Sequence, residues 1–320
     1  MQGLVTVFGG TGFVGRQVVR ALARKGLRVR VAARRPGRGY RLRMLGDVGQ
    51  IEVVQANIRD AASIARAVDG AEAVVNLVGL LREAGRQRFA SVHAMGARNV
   101  AEAARAAGAR RLVQVSAIGA DPQSPGKYGR TKAEGEAAVR EAFPGATIVR
   151  PSIVFGPEDD FFNRFARMAA LSPALPLIGG GETRFQPIFV GDLAAAIAAC
   201  AAEDGHAGLT YELGGPAVYS FRELMAFILT ETGRRRALVP VPFPVAGLMG
   251  QAGDLMGLLV PPPVTSDQVQ MLKTDNVPAA GAPGLEAFGL TPRTIEAVVP
   301  TYLYRYRRGG QYAAAPEGSY

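Results

Sequence analysis

Leu4-Val5-Thr6-Val7-Phe8-Gly9-Gly10-Thr11-Gly12-Phe13-Val14-Gly15 is the stretch on which the reading of the whole chain turns. Leu4 to Phe8 are apolar or β-branched with no run of charge, as in a strand buried on both faces. Glycines follow, and Arg16 to Lys25 then carries Val18, Val19, Leu22 and Ala23 at helical spacing. Strand, glycine turn and helix in this order make a cradle for an anion. Glycine tolerates the tight turn, and the helix N-terminus offers free N–H groups and the positive end of its dipole. Gly10, Gly12 and Gly15 fit G-x-G-x-x-G, and Gly9, Gly12 and Gly15 fit the G-x-x-G-x-x-G variant. Gly9, Thr11, Gly12, Phe13, Val14 and Gly15 are therefore expected against the pyrophosphate of a dinucleotide.

The pattern continues outward from this turn. Strands are expected at Arg28–Ala33, Ile51–Gln55, Ala73–Leu77 and Arg111–Ser116, and helices at Ala61–Val68 and Arg88–Ala107. Alternation at this spacing predicts an α/β fold, a Rossmann-type doubly wound parallel sheet with a smaller α/β C-terminal domain. Residues 1–155 are assigned to the first domain, with 185–205 packing back on it. Residues 156–308 are assigned to the second domain and 309–320 to a flexible tail. Asn57, Ile58, Val78 and Gly79, at strand ends, complete the expected cofactor crevice.

The second strand ends in Ala32 and Ala33 and is followed by Arg34 and Arg35. An acidic residue at this point would take the ribose hydroxyls of NAD(H); here two guanidiniums suit a 2′-phosphate instead. The expected cofactor is NADP(H), as NADPH. The net charge of +10 is uneven, with a basic block from Arg28 to Arg43 that contains no acid. Such a block can serve anionic lipid, an acidic partner or a phosphorylated cofactor. No aromatic stacking platform accompanies it, so nucleic acid is not expected. Cys200 is the only cysteine, and His93 and His206 have no Cys/His cluster near them, so neither disulfides nor a metal are expected. No uncharged apolar run reaches about 18 residues, and the first strand begins too early for a leader. The expected location is the cytoplasmic face of a bacterial inner membrane, with the matrix side of a mitochondrial membrane as the alternative.

Tyr128-Gly129-Arg130-Thr131-Lys132 opens a further helix, which places the Tyr128 phenol and the Lys132 ammonium on one face. A nearby ammonium favours the phenolate, which suits proton transfer alongside hydride transfer. With Arg150-Pro151-Ser152-Ile153-Val154-Phe155-Gly156-Pro157, these residues resemble the extended short-chain dehydrogenase/reductase superfamily. The resemblance implies that Tyr128 is the acid/base and that Lys132 holds the nicotinamide ribose. It also implies that Pro151, Ser152 and Ile153 pass near the nicotinamide. The superfamily's catalytic Ser/Thr position, a couple of residues beyond the strand-end Ser116, holds Ile118. Ser116 remains as a candidate for that role, and an isoleucine cannot donate to a carbonyl.

The blocks Gly156–Phe165, Gln186–Asp192, Val264–Val269, Thr274–Asn276 and Pro283–Gly289 resemble the nucleotide-binding accessory subunits of respiratory complex I, NADH:ubiquinone oxidoreductase alpha subcomplex subunit nine and its bacterial relatives. That resemblance implies a bound NADPH with a structural or regulatory role, other complex I subunits as partners, and a place near the membrane and quinone entry. An active NADP-dependent oxidoreductase or epimerase is the alternative, and a free nucleotide sensor a third reading. Val245, Leu248, Met249, Leu255, Met256 and Leu259 form an apolar helical stripe that reads equally as core or as contact with a membrane surface. Asp159 and Asp160 read as a helix start, Thr291 as a cap with Pro292 behind it, and the Tyr/Arg alternation of Tyr302–Arg308 as a docking or solvated segment.

Overall fold

The computed structural model describes residues 3–83, 85, 87–256 and 264–312. Two compact units are present, and the chain enters each more than once. The first comprises residues 1–151, 190–213 and 280–290, and the second the remainder.

In the first unit the elements run β1 (Leu4–Phe8), α1 (Phe13–Arg24), β2 (Arg28–Ala33), β3 (Ile51–Gln55), α2 (Ala61–Val68), β4 (Ala73–Asn76), α3 (Met95–Ala106), β5 (Arg111–Val115), α4 (Lys127–Ala142) and β6 (Thr147–Pro151). Strand Thr210–Leu213 joins them in a seven-stranded sheet of order (210–213)-β6-β5-β4-β1-β2-β3. Each pairing is parallel. The order reverses at β1, between β4 and β2, so the glycine turn lies at the topological switch point. Val7, Val31, Val74 and Val75 are buried on both faces, which is why these strands read as continuous apolar runs. Helix α1 packs against helix Val190–Ala202, while α2, α3 and α4 pack in series with one another. The alanines and Cys200 of helix 190–202 are buried, and small side chains let it lie close.

Several sequence expectations need correction. Helix α1 starts at Phe13, not Arg16, because Gly12 already serves as its N-cap. The helix expected over Arg88–Ala107 is broken in type. Ala90–Ala94 is a single π-turn, and the α-helix proper begins at Met95. Thr291 does not cap a helix; Thr294 does, with its hydroxyl accepting from Ala297 N–H, and Pro300 opens a separate short turn.

The second unit has its own aromatic core, with Phe155, Phe162, Phe221, Leu224 and Ile228 buried together. Strand Ala174–Ile178 pairs in parallel with Ala237–Val241. Of the acidic pair, Asp159 does the capping. It is buried, and it accepts from Phe162 N–H at 2.6 Å, Gly156 N–H at 3.1 Å and the Tyr302 hydroxyl at 2.5 Å. Burial raises its pKa, and those donors oppose the shift. The Tyr302–Arg308 segment is therefore partly built into the second unit, with Tyr304, Arg305 and Arg308 left exposed. Tyr302 is buried, Arg305 binds Asn163, and Arg307 donates to the carbonyl oxygen of Glu231. On helix Phe243–Met256, Val245, Leu248, Met249 and Met256 are exposed, and the small Ala246, Gly250 and Gly253 are buried. The stripe is thus not core at those positions; the Leu255 side chain and Leu259 lie outside the described residues, as does the tail from 313 onward.

Packing of α1 on β1 leaves no room for a side chain at Gly15. A Cβ there would lie 2.2 Å from Gly9 O and 2.6 Å from Gly10 Cα. Gly15→Ala should lower stability by about 2–3 kcal/mol in chemical denaturation, while Gly37→Ala, with open space around it, should change it little.

Candidate functional site

The cradle is built at the end of β1. Gly9 has φ +81°, and its carbonyl accepts from Gly12 N–H at 3.0 Å. Gly12 is extended and exposed, and no side chain caps α1. The first-turn N–H groups of Phe13, Val14 and Gly15 thus have no acceptor within the helix. A Cβ on Gly12 would meet only Gly9 O, at 3.3 Å, so the space above it stays open. Thr11, Phe13 and Val14 are half-buried around it. Arg34 and Arg35 leave the end of β2 exposed, with no carboxylate beside them in the sequence. Beyond β3, Asn57 accepts from Arg59 N–H at 3.2 Å, and buried Ile58 holds Asn99 through its carbonyl oxygen at 3.0 Å.

At the end of β4, buried Asn76 donates to Gln114 at 2.8 Å and accepts from Val78 N–H at 3.1 Å, which fixes the turn at Val78 and Gly79. A Cβ on Gly79 would lie 3.5 Å from Lys132 Nζ and 3.8 Å from His93 Nε2, so three elements converge there. Lys132 is buried and donates to Val115 O at 3.1 Å. Desolvation lowers its pKa to about 8, opposed by the charge of Glu136. Its Nζ sits 6.0 Å from the centre of the Tyr128 ring. Glu136 is itself buried and held by Arg150 at 2.7 Å.

Ser116 Oγ is buried without a hydrogen-bond partner among the described residues. A buried hydroxyl left so is destabilising unless a ligand or water satisfies it. The open space at Gly12 and this orphaned hydroxyl both fit a dinucleotide with its reactive end at β5 and α4. Ile118 is buried, with its N–H donating to Pro151 O at 3.1 Å. Ser152 and Ile153 fall in the second unit, where Ser152 Oγ bonds Asn276 at 2.8 Å and Ile153 N–H donates to the same side chain at 3.0 Å.

One residue that the sequence pattern does not single out belongs to this site. His93 Nε2 accepts from Leu80 N–H at 2.9 Å, so its proton sits on Nδ1, which faces Thr131 Oγ1 at 3.1 Å. Its ring meets Tyr128 edge-on at 5.4 Å and stacks on Phe89 at 5.2 Å. The π-turn at Ala90–Ala94 carries His93 on the helix that flanks α4. The sequence signal was thin, since a lone histidine in a helix carries no spacing pattern. Among the described residues no group of three or more His, Cys, Asp or Glu side chains could hold a metal.

Burial, followed by the Lys132 charge, lowers the His93 pKa from 6.5 to about 3. The unfolded chain then binds the proton more readily, so this group's contribution is complete above pH 6.5 and is lost as pH falls toward 3. Denaturation midpoints should fall across that window, and His93→Gln, which cannot titrate there, should flatten the slope.

Comparison with known proteins places the chain. Residues 5–214 match the NAD dependent epimerase/dehydratase family. The chain is 38% identical over 316 residues, covering 96% of its length and 79% of the relative, to the mitochondrial NADH dehydrogenase (ubiquinone) 1 alpha subcomplex subunit 9 of Arabidopsis thaliana. It is 40% identical over 198 residues, 62% of this chain and 61% of the relative, to a ceramide reductase of Caulobacter vibrioides. Among solved structures, an NADPH-dependent quinone oxidoreductase from Escherichia coli complexed with NADPH superposes with TM-score 0.72 at 22% identity, covering 94% of this chain and 99% of that one. No helix among the described residues is long and apolar enough to cross a membrane. Matched over more than half of its length by the family and over nearly all of it by the subunit, the chain belongs to the NAD dependent epimerase/dehydratase family, in the branch of the alpha subcomplex subunit 9 proteins.

Proposed function

We propose that this chain is an accessory subunit of respiratory complex I that holds NADP(H) as a structural or regulatory ligand. The observation that carries the reading is a complete nucleotide cradle beside an incomplete reaction site. Gly9 to Gly15 are open to a pyrophosphate, while the superfamily's Ser/Thr position holds the buried Ile118. Arg34 or Arg35 takes the 2′-phosphate, Gly12 to Gly15 the pyrophosphate, and Lys132 the nicotinamide ribose. Asn57 and Ile58 line the adenosine side, and Val78, Gly79, Ser116, Tyr128 and Pro151 the nicotinamide side. A ligand bound only by the folded state adds RT ln(1 + [L]/Kd), about 4 kcal/mol at a thousandfold excess over Kd. The relatives' role supports association with other complex I subunits. The exposed Val245, Leu248, Met249 and Met256 support a peripheral seat at the membrane, on the side of the hydrophilic arm. In a bacterium that side is the cytoplasmic face.

The alternative is a working NADP-dependent oxidoreductase. It is favoured by the retained Tyr128–Lys132 pair and by the orphaned Ser116 hydroxyl, which can donate to a carbonyl in place of the missing residue. Bound NADPH supplies hydride in that reading, Tyr128 supplies the proton, and Lys132 lowers the phenol's pKa and orients the ribose.

Native mass spectrometry of gently solubilised membranes tests the first reading. It should find the chain within complex I with one NADP(H) retained, and a chain absent from the complex, or carrying NAD, overturns it. Loss of a charge-assisted phosphate contact is worth about 1.5–3 kcal/mol, so Arg34→Ser with Arg35→Ser should weaken NADP(H) at least tenfold and leave NAD(H) affinity unchanged. If the second reading holds, Tyr128→Phe abolishes substrate-dependent NADPH oxidation without loss of nucleotide binding. A screen in which no carbonyl substrate, ceramide-like lipids included, is turned over removes that reading.

A further inference from the structure

We infer that residues 34–48 form a docking surface for an acidic patch on another protein. This goes beyond the nucleotide reading and does not depend on it. The segment follows β2 and exposes Arg34, Arg35, Arg38, Arg41 and Arg43. One 2′-phosphate accounts for one or two guanidiniums, which leaves Arg38, Arg41 and Arg43 without a task.

Several other arginines of the first unit have a carboxylate partner. Arg30 pairs with Glu52, Arg98 with Glu141, Arg111 with Glu72 and Asp204, and Arg150 with Glu136 and Glu212. Among the described residues none of the five arginines of the 34–43 segment has an ion pair. Like charges this close repel one another, a cost that an external anion removes. Arg20 and Arg24 of α1 are exposed as well and add to the same positive field.

The surface is also pre-shaped. Pro36–Arg38 and Tyr40–Leu45 form two short 3-10 turns, and Leu42 is buried beneath them. Gly39 presses on Val53, where a Cβ would come within 2.8 Å of its Cγ1. Gln50 pins the far end by donating to Ala23 O at 2.7 Å and Leu27 O at 3.0 Å. A partner therefore meets an ordered surface, with little side-chain and loop ordering left to offset binding.

Its composition selects the kind of partner. Tyr40 is 52% exposed, Met44 78% and Val48 107%, and the Arg43 guanidinium lies 5.0 Å from the Tyr40 ring centre. Arginine, tyrosine and methionine are the residues enriched at protein–protein interfaces, and lysine, which point-charge attraction to headgroups would serve equally well, is absent from the segment. Planar guanidinium forks match carboxylates in bidentate pairs. Three separated apolar side chains do not make the continuous stripe that inserts in lipid, and a single tyrosine is no stacking platform for bases.

The test places a photo-crosslinker at the edge of the surface, as Met44→p-benzoylphenylalanine in the full-length protein in native membranes. Irradiation should give one discrete protein adduct, with the linked peptide inside an Asp/Glu cluster. Its yield should fall at least tenfold in Arg38→Glu/Arg41→Glu, and partly in 0.5 M salt, which screens the attraction. Arg38→Gln/Arg41→Gln serves as a second variant, and thermal melting checks that each folds. Retained NADP(H) checks that the nucleotide site is intact. Adducts with lipid or nucleic acid alone, no discrete adduct, or an adduct indifferent to both variants overturns the inference. An adduct with a protein outside complex I would sustain it and count against the accessory-subunit reading, so the two fail separately.

Discussion

The first unit depends on a contact with no side chain in it. Gly15 lies directly on the backbone of Gly9 and Gly10, and any Cβ would drive α1 off the end of β1. That approach points an uncapped helix N-terminus at the open space over Gly12. The neighbouring strand ends are set by the buried Asn76–Gln114 pair, which shapes the turn into Gly79. Gly79 in turn admits Lys132 and His93 close to the same point. Backbone packing thus comes first, and the polar groups take positions that it leaves.

Burial lowers the pKa of two of those polar groups. Lys132 is buried on a backbone carbonyl, its charge supported by Glu136. His93 stays neutral beside it, because burial disfavours its charged form and the Lys132 ammonium adds to that. A neutral His93 accepts from Leu80 N–H and turns its own proton to Thr131, which in turn donates to the first turn of α4. The histidine thereby joins the loop after β4 to the helix that carries Tyr128. This arrangement orients a phenol and an ammonium whether or not a substrate ever reaches them, so a binding site and a reaction site share most of their construction.

The sheet was legible because its signals are local. Apolar runs and glycines mark β1 to β3 and α2 to the residue, and Asp60 caps α2. The π-turn was not legible, since one extra residue per turn leaves no mark in a hydrophobic pattern. His93 was not legible either: its neighbours Leu80, Tyr128 and Thr131 meet it through tertiary packing, not through spacing. The Tyr302–Arg308 alternation looked like surface because its partners Asp159, Asn163 and Glu231 lie more than seventy positions away in sequence. The exposure of Val245 and Leu248 could not be read from periodicity, which identifies a face without saying what lies opposite it.

The route of the chain has a consequence for how the protein is made. The first unit needs strand Thr210–Leu213 at its sheet edge, helix Val190–Ala202 on one face, and residues 280–290. Synthesis proceeds from the N-terminus, and domains generally fold as units during it. Here β6 waits with an unpaired edge while the whole of 152–209 is produced, and the unit closes only when residues 280–290 have followed. A nascent chain carrying a bare parallel edge for that long is an aggregation hazard, and the crossing of the chain between units leaves no single cut that would free either half intact.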